Sequence, residues 1–443
     1  MNNIPKISEP ALKTKGFLQR KKFLSAFSEK INKNDIPTAL KDLSEFIEKN
    51  PTQRPILDPL YAAMLNDVGS TKYANYISKL IIKLDNKLLK LGIEYLNLPP
   101  ISYYQFKDRI GELVTQTAAT KYLANLEIIK EKPVLPITDL KHVINTAFLP
   151  YLNESFNVLM PGDEAEFHKN YARSSPFNTC HTRWDQSTQG HYSSTAKYVH
   201  KKLKLSKSEP VAFKLKNETA VVAEQFLKNF DLKRDDTFAT LHFREEGYFD
   251  HLQHGWRNSN INKHVDAIKV LLKQGIKVVR IGHPKMSKIP EMDGLIDLTS
   301  FKRPPEVDIF LCAACMFFYG NPSGPCDLAY EFGAPMLFSG VFPYAHARPN
   351  SLNQITPLKD TATNKILSLK EIFDKDLSNV FSPIPYNRKK IEICQISEEE
   401  NTRAVNEMLN RVTSLDEDNV GLNLEDIGIP DNIWFTEESQ RLI

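Results

Sequence analysis

Three short runs in the second half of the chain set polar side chains where apolar strands give out. They are His242 and Arg244 in Ala-Thr-Leu-His-Phe-Arg, Arg280 in Val-Val-Arg-Ile-Gly-His, and Asn321, Ser323 and Gly324 in Tyr-Gly-Asn-Pro-Ser-Gly. His242 and Arg244 are two residues apart, so on a strand they share a face. An arginine on a buried face needs an anion or a carboxylate, and Glu245 and Glu246 are close enough in sequence to be that carboxylate. Arg280 interrupts an apolar strand; its guanidinium either forks onto a pyrophosphate or pairs with Asp297. Around Asn321–Gly324, N–H groups and the dipole of the following helix attract negative charge, and the Ser323 hydroxyl either caps that helix or touches a phosphate. Glu331, two turns along the helix, accepts ribose hydroxyls or faces solvent. Tyr248, Trp256, Arg257 and Asn258 occupy the loop after the first run, where aromatic side chains suit a base or a sugar face, or anchor the loop. Cations and a helix N-terminus at the carboxyl edge of a sheet fit an anionic ligand, with a nucleotide diphosphate the natural candidate.

The elements that must carry these residues are legible from Thr237 onward. Ala239, Leu241 and Phe243 alternate as in a strand. Ser259 or Asn260 can cap a helix bearing Val265, Ile268, Leu271 and Leu272, which Gly275 closes. Strands follow at 277–281 and 295–298, an apolar helix at 305–315, a buried strand at 316–319, a helix at 324–332 and a strand at 335–339. Strand and helix in alternation predict a parallel sheet with helices on both faces. Upstream, helical spacing marks residues 17 to 95, with Asp35-Ile-Pro37 reading as a helix start. Between 96 and 205 the pattern is weaker. Phe156-Asn-Val-Leu-Met reads as a strand, the basic run Lys201–Lys207 reads as a linker, and 170–194 is a polar and aromatic stretch that reads as a loop or a sugar- or peptide-binding surface. A helix is expected at 397–415.

Bulk properties exclude several classes. The 443 residues carry a net charge of +3, too small to imply a nucleic-acid partner, and 25% charged residues is ordinary for a soluble protein. Neither a signal core nor a run long enough to span a bilayer is present, so a cytoplasmic protein is expected. Five scattered cysteines do not make a disulfide framework, and Cys312-Ala-Ala-Cys315 lies in an apolar run, where two buried thiols are expected rather than zinc ligands. No Asp-x-Asp, no phosphate loop ending in Gly-Lys-Ser/Thr and no Gly-x-Gly-x-x-Gly occurs, which argues against metal-dependent transfer, ATPase chemistry and a dinucleotide oxidoreductase.

At these residues the chain resembles a poorly characterised bacterial glycosyltransferase family, related to the protein O-fucosyltransferase-like branch of the GT-B fold. The resemblance spans about residues 140 to 345. It is densest at 242–248, 256–261, 278–284, 308–315 and 320–324. It implies two facing Rossmann-type lobes, with Arg244, Arg280, Ser323 and Gly324 holding a donor diphosphate, Gly282 and His283 in the turn beside it, and His242 next to the reacting centre. His283 stands where that family has Asp, and Asn321-Pro322 where it has Thr and Ser.

The expected protein is thus α/β, with a helical region at 1–98, an acceptor-side α/β lobe at 99–210, a nucleotide-sugar lobe at 211–390 and a C-terminal helical segment and tail at 391–443. The expected activity is metal-independent transfer of a sugar from a GDP- or UDP-linked donor to a glycan, lipid-linked or protein hydroxyl, without a cofactor. His242 and Arg244 are the catalytic candidates; Arg280, Gly282, His283, Asn321, Ser323, Gly324, Glu331, Tyr248 and Arg257 are the donor-binding ones; Asp163, Glu164 and Asp185 are candidate bases. The alternative is a catalytically degenerate module that binds protein partners through residues 1–98.

Overall fold

The computed structural model describes residues 15–33, 35–50, 56–57, 60–61, 64, 72–74, 76–77, 79–81, 83–84, 109–125, 132–174, 181–183, 189–191, 211–233, 235–245, 257–342, 344, 347–348, 351–375, 377, 380, 383–413 and 434–442. Cys180, Asp185, Glu246, Tyr248, Trp256 and the basic run at 201–207 lie outside them.

The first half of the chain supplies helices α1 (Lys15–Asn32), α2 (Ile36–Lys49) and α3 (Ile110–Asn125), strand β1 (Val134–Pro136), helix α4 (Leu149–Ser155), strand β2 (Asn157–Leu159), helix α5 (Asp163–Ser174), strands β3 (His181–Arg183) and β4 (Gln189–His191), and helix α6 (Asn217–Leu227). Then come β5 (Phe238–His242), α7 (Val265–Lys273), β6 (Lys277–Arg280), β7 (Leu295–Asp297), α8 (Pro305–Ala314), β8 (Phe317–Gly320), α9 (Gly324–Glu331), β9 (Met336–Val341) and β10 (Leu352–Ile355). A three-stranded antiparallel sheet, α12 (Glu398–Thr413) and β14 (Trp434–Phe435) follow; the sheet comprises β11 (Leu358–Asp360), β12 (Lys365–Ile366) and β13 (Ile391–Ile393), with α10 (Leu369–Asp374) and α11 (Pro383–Arg388) between its strands.

Seven strands form one all-parallel sheet in the order β7-β6-β5-β8-β9-β10-β14. Ranked along the chain this is 3-2-1-4-5-6-7, the doubly wound order, and the chain reverses direction across the sheet between β5 and β8. The strands are apolar on both faces because both are covered. Phe238, Val279, Phe318, Met336 and Phe338 point into one core, and Ala239, Val278, Phe317, Tyr319 and Leu337 into the other. The first core takes in α3, α4, α6, α8 and α9; the second takes in α7 and α12. The Asn260 side chain accepts from Asn262 N–H at 3.1 Å, which caps not α7 itself but the 3-10 turn Ile261–His264 that leads into it; α7 begins after His264 without a side-chain cap, and Gly275 follows its end at φ +75°. Cys312 and Cys315 are buried in the first core, where burial pushes the Cys315 thiol up to about 12.

The expected second Rossmann-type lobe has little counterpart among the described residues. Segment 99–210 contributes the parallel pair β1–β2, the antiparallel pair β3–β4 and helices, and its Leu113, Val114, Tyr122, Tyr151 and Phe156 pack into the core of the large sheet. Glycines explain how α3 gets so close. A Cβ on Gly324 would stand 2.5 Å from Ile110 Cγ2, and one on Gly111 would stand 3.0 Å from Gly324 Cα, so the N-termini of α3 and α9 cross at their glycines. The N-terminal helices keep a separate core built on Phe27, Leu40, Leu43, Ile77 and Ile81. No helix among the described residues is long and apolar enough to cross a membrane.

Candidate functional site

A cavity of about 440 Å³ opens at the carboxyl edge where β5 and β8 part. His242, Arg244, Ser323 and Gly324 line its middle, and Arg109, Arg257 and Arg348 add three further guanidinium groups. This is where an open doubly wound sheet places ligands.

His242 ends β5 and is only 7% exposed. Its Nδ1 lies 3.0 Å from the Ser323 hydroxyl. Burial, and then the positive charge of Arg280, Arg303 and Arg244, lower its pKa to about 3, so the ring is neutral. Ser323 occupies the N-cap of α9 but makes no side-chain cap bond. The cap that the sequence offered for its hydroxyl is not made; the hydroxyl meets His242 instead. Pro325 in the first turn has no N–H to give, and the remaining N-terminal amides of α9 carry the positive end of the helix dipole toward the cavity.

Asn321 organises the loop above β5. Its Oδ1 accepts from Arg244 N–H at 2.8 Å and its Nδ2 donates to the Arg257 carbonyl at 2.8 Å. Ser259 N–H donates to the Arg244 carbonyl at 2.8 Å, and the Ser259 hydroxyl lies 2.8 Å from His264 Nε2. His264 in turn meets Tyr319 at 2.7 Å and stacks on Phe243. The two described ends of the 245–257 loop are thereby fixed, and Arg244 and Arg257 stand over the cavity. Burial and the nearby charge of Arg244 lower the Arg257 pKa to about 10, which leaves it cationic at neutral pH. Asn321 itself is buried, and its role is to hold these backbones rather than to line the cavity.

Two expected donor contacts have other partners. Arg280 is 1% exposed and does not reach the cavity wall. It donates to Glu245 at 2.6 Å, Asp297 at 2.9 Å and the Ser287 carbonyl at 2.8 Å, because the sheet register sets it opposite Asp297. Glu331 lies at the far end of α9, 4% exposed, and accepts from Tyr122 at 2.9 Å. Its carboxyl, lifted to about 8 chiefly by burial, has no route to a ribose. Gly282 and His283 do line the cavity, and Tyr248 lies outside the described residues. Asp163 and Glu164 are exposed in the first turn of α5, away from the cavity lining.

Sequence reasoning passes over Arg109, Arg303, Arg348 and Asn145, all of which line the cavity. Arg303 is a brace: its five N–H groups go to Asp308 (twice) and to the carbonyls of Leu298, Phe301 and Gly282. Arg348 pairs with Asp327 and lies over the Tyr330 ring at 5.1 Å. Arg348 follows β9, so the strand-end rule that singles out Arg244 would have reached it had the rule been extended past the next turn.

No protein-family model matches the chain, and no curated protein matches it. Two solved structures are similar to it in part. A glycosyl transferase family 9 protein from Veillonella parvula DSM 2008 is 15% identical over 67% of this chain and 79% of its own, with a TM-score of 0.32. E. coli ADP-heptose lps heptosyltransferase II is 11% identical over 69% of this chain and 98% of its own, with a TM-score of 0.34.

Proposed function

We propose that this protein is a glycosyltransferase that takes a sugar from a nucleoside-diphosphate donor and passes it to an acceptor hydroxyl. One observation carries the reading: arginine side chains and the N-terminus of α9 converge on a cavity at the β5/β8 switch point, around a neutral histidine. Five lining arginines face four lining carboxylates, and one of these, Glu245, is already held by Arg280. The excess is positive, as a diphosphate requires. The resemblance at 242–248 and 320–324 supplies the reaction class.

In this reading the bond from the sugar's anomeric carbon to the diphosphate breaks, a bond to the acceptor oxygen forms, and the acceptor's proton is released. Arg244, Arg257 and the amides of α9 hold the departing diphosphate, the group on which charge develops. Fixed guanidiniums do the work that a metal ion does in other transferases. His242 contributes a hydrogen bond beside the phosphates without adding a charge that would fight the arginines. Segment 99–210, the acceptor side in this reading, packs on the core of the large sheet and brings Arg109, Gly111 and Asn145 to the cavity. The sugar, the nucleotide base, GDP- or UDP-linked, and the acceptor (glycan, lipid-linked or protein) are named by experiment.

One observation favours a second reading. The N-terminal helices have their own core, as a partner-binding module would. The test for both is thermal stabilisation of the full chain by GDP, UDP, CMP and their sugars, with Arg244→Ala beside wild type. A shift of several degrees with one nucleotide, lost in the variant, supports the transferase. A nucleotide that binds but is never turned over with any acceptor selects the module. No shift with any nucleotide removes the donor site altogether.

A further inference from the structure

Among the described residues four carboxylates line the cavity, and they differ in what they have left to give. Glu245 is sealed against Arg280. Asp327 is paired with Arg348. Glu112 stands in the first turn of α3, where Gly111 crosses Gly324 at the start of α9, the place of the phosphates in the reading above. Asp308, in the first turn of α8, keeps 36% of its side chain exposed, the largest share of the four.

Arg303 sets how that carboxylate stands. Its Nε donates to Oδ1 at 2.6 Å and its Nη2 to Oδ2 at 3.3 Å, so each carboxylate oxygen accepts one of these bonds and keeps room for another. Bonds to the Leu298 and Gly282 carbonyls pin the guanidinium in turn. Arg303 is thereby used up as an anion ligand. The pair offers two fixed acceptor oxygens and no net charge. A phosphate, which brings only acceptors, gains nothing from it; a neutral group that donates twice does. Ile144 lines the cavity at the same end, because its neighbour Asn145 donates to the Pro305 carbonyl at the start of α8. It is 45% exposed, and an isoleucine left open in a cavity suits the flat face of a base.

We propose, resting on the nucleotide-sugar reading above, that Asp308 holds the ribose of the donor, its carboxylate oxygens accepting from the two ring hydroxyls. The ribose adjoins the phosphates, and its neighbouring hydroxyls match two acceptors set side by side. Dinucleotide-binding sheets use an acidic side chain on a ribose hydroxyl in the same way. Glu331, which the sequence offers for this role, is sealed against Tyr122. The base then lies toward Ile144. The N–H edge of guanine also presents two adjacent donors to a carboxylate, and the experiment separates it from the ribose.

The full chain and Asp308→Asn are titrated calorimetrically with pyrophosphate, with UDP and GDP, and with the dideoxyribose forms of both nucleotides. Hydrogen bonds to a charged group are at stake, so the better-bound nucleotide weakens about ten- to hundredfold in the variant. Wild type loses a similar factor when the hydroxyls are taken from the ligand instead, and the variant then loses little more, because both changes remove one interaction. Pyrophosphate controls for fold and charge. Asp308→Asn makes the cavity more positive, so pyrophosphate binds it at least as tightly as wild type, and a weakening confined to nucleotides runs against the change in charge. If wild type binds dideoxy and ordinary nucleotides alike, or if the two losses add in full, Asp308 does not hold the ribose. If the variant weakens GDP and dideoxy-GDP equally and leaves UDP unchanged, the guanine edge is the partner and the ribose assignment falls. If pyrophosphate weakens in step with the nucleotides, Asp308 serves only to fix Arg303. Should Asp308→Asn fail to fold, Asp308→Ser is taken through the same cycle, and the dideoxy series on wild type still overturns the proposal if the hydroxyls make no difference. If wild type binds no nucleotide at all, the transferase reading has failed; if it binds nucleotides but ignores their ribose hydroxyls, only this proposal has.

Discussion

β5 and β6 lie side by side, each is followed or ended by an arginine, and the two arginines serve opposite purposes. Arg244, two residues beyond β5, lines the cavity on a backbone clamped by Asn321. Arg280, the last residue of β6, is sealed between Glu245 and Asp297. The difference is one of neighbours, not of residue type. Arg280 is in register with Asp297 on β7, and the chain leaving β5 brings Glu245 over its other side. The register of the neighbouring strands decides which of the two cations is sealed between carboxylates and which lines the cavity.

Removing Arg280 tests that comparison most severely. Arg280→Ala leaves the buried Glu245 carboxylate without its partner, and breaking a buried ion pair from one side destabilises by about 3–5 kcal/mol. Urea denaturation should show that loss. A variant as stable as wild type but unable to bind nucleotide would return Arg280 to the donor site and erase the contrast. Arg244→Ala should do the reverse, with stability within about 1 kcal/mol of wild type while affinity for the bound nucleotide falls roughly ten- to hundredfold, the effect of one charged hydrogen bond.

Helix α9 repeats the contrast within a single element. Its N-terminus faces the cavity; its C-terminal Glu331 faces the core, with a carboxyl raised from 4.5 to about 8 by burial, against the pull of Arg348 and Tyr122. A raised acid keeps its proton in the folded chain while the unfolded chain releases it. Its stabilising contribution is complete below about pH 4.5 and is lost as pH rises through 8. Glu331→Gln has no proton to lose. Wild type should therefore lose stability relative to the variant from pH 5 to 8, by at most about 1.4 kcal/mol per pH unit, and then run parallel to it. Parallel curves throughout would mean that Glu331 is ionised and reaches water, as a ribose ligand would need.

What the sequence shows well is whatever one stretch of chain decides. Strands β5, β6, β8 and β9 and helices α8 and α9 are legible because burial on both faces leaves apolar runs such as Met316–Tyr319 and Pro335–Ser339, punctuated by Gly275 and Gly333. His242, Arg244, Ser323 and Gly324 are found because strand ends in such a sheet are a small set of places. What the sequence hides depends on partners far along the chain. Arg280 meets Asp297 through register; Glu331 meets Tyr122, 209 residues away; and Asn145 reaches the cavity only because Pro305 holds it there. Strands β10 and β14 add to the sheet's edge, and β14 is two residues long, too short to carry a pattern.

The smallest effect expected is none at all, and it concerns His242. A histidine at a strand end beside phosphates invites a charged role, with affinity climbing as pH falls. The environment opposes this, since burial and then Arg280, Arg303 and Arg244 hold the ring neutral down to about pH 3. A nucleotide sugar is the right probe, because a diphosphate esterified at both ends has no proton of its own to gain or lose between pH 5.5 and 8. Its affinity should stay flat across that range. For a rise to begin by pH 5.5, the bound diphosphate would have to lift the ring by more than two pH units, an interaction worth about 3 kcal/mol beyond what the surrounding arginines already take up. A tenfold gain in affinity per pH unit would mean that the imidazolium, not the arginines, is the main partner of the departing group. The contrast would then lie between His242 and all the arginines, rather than between Arg244 and Arg280.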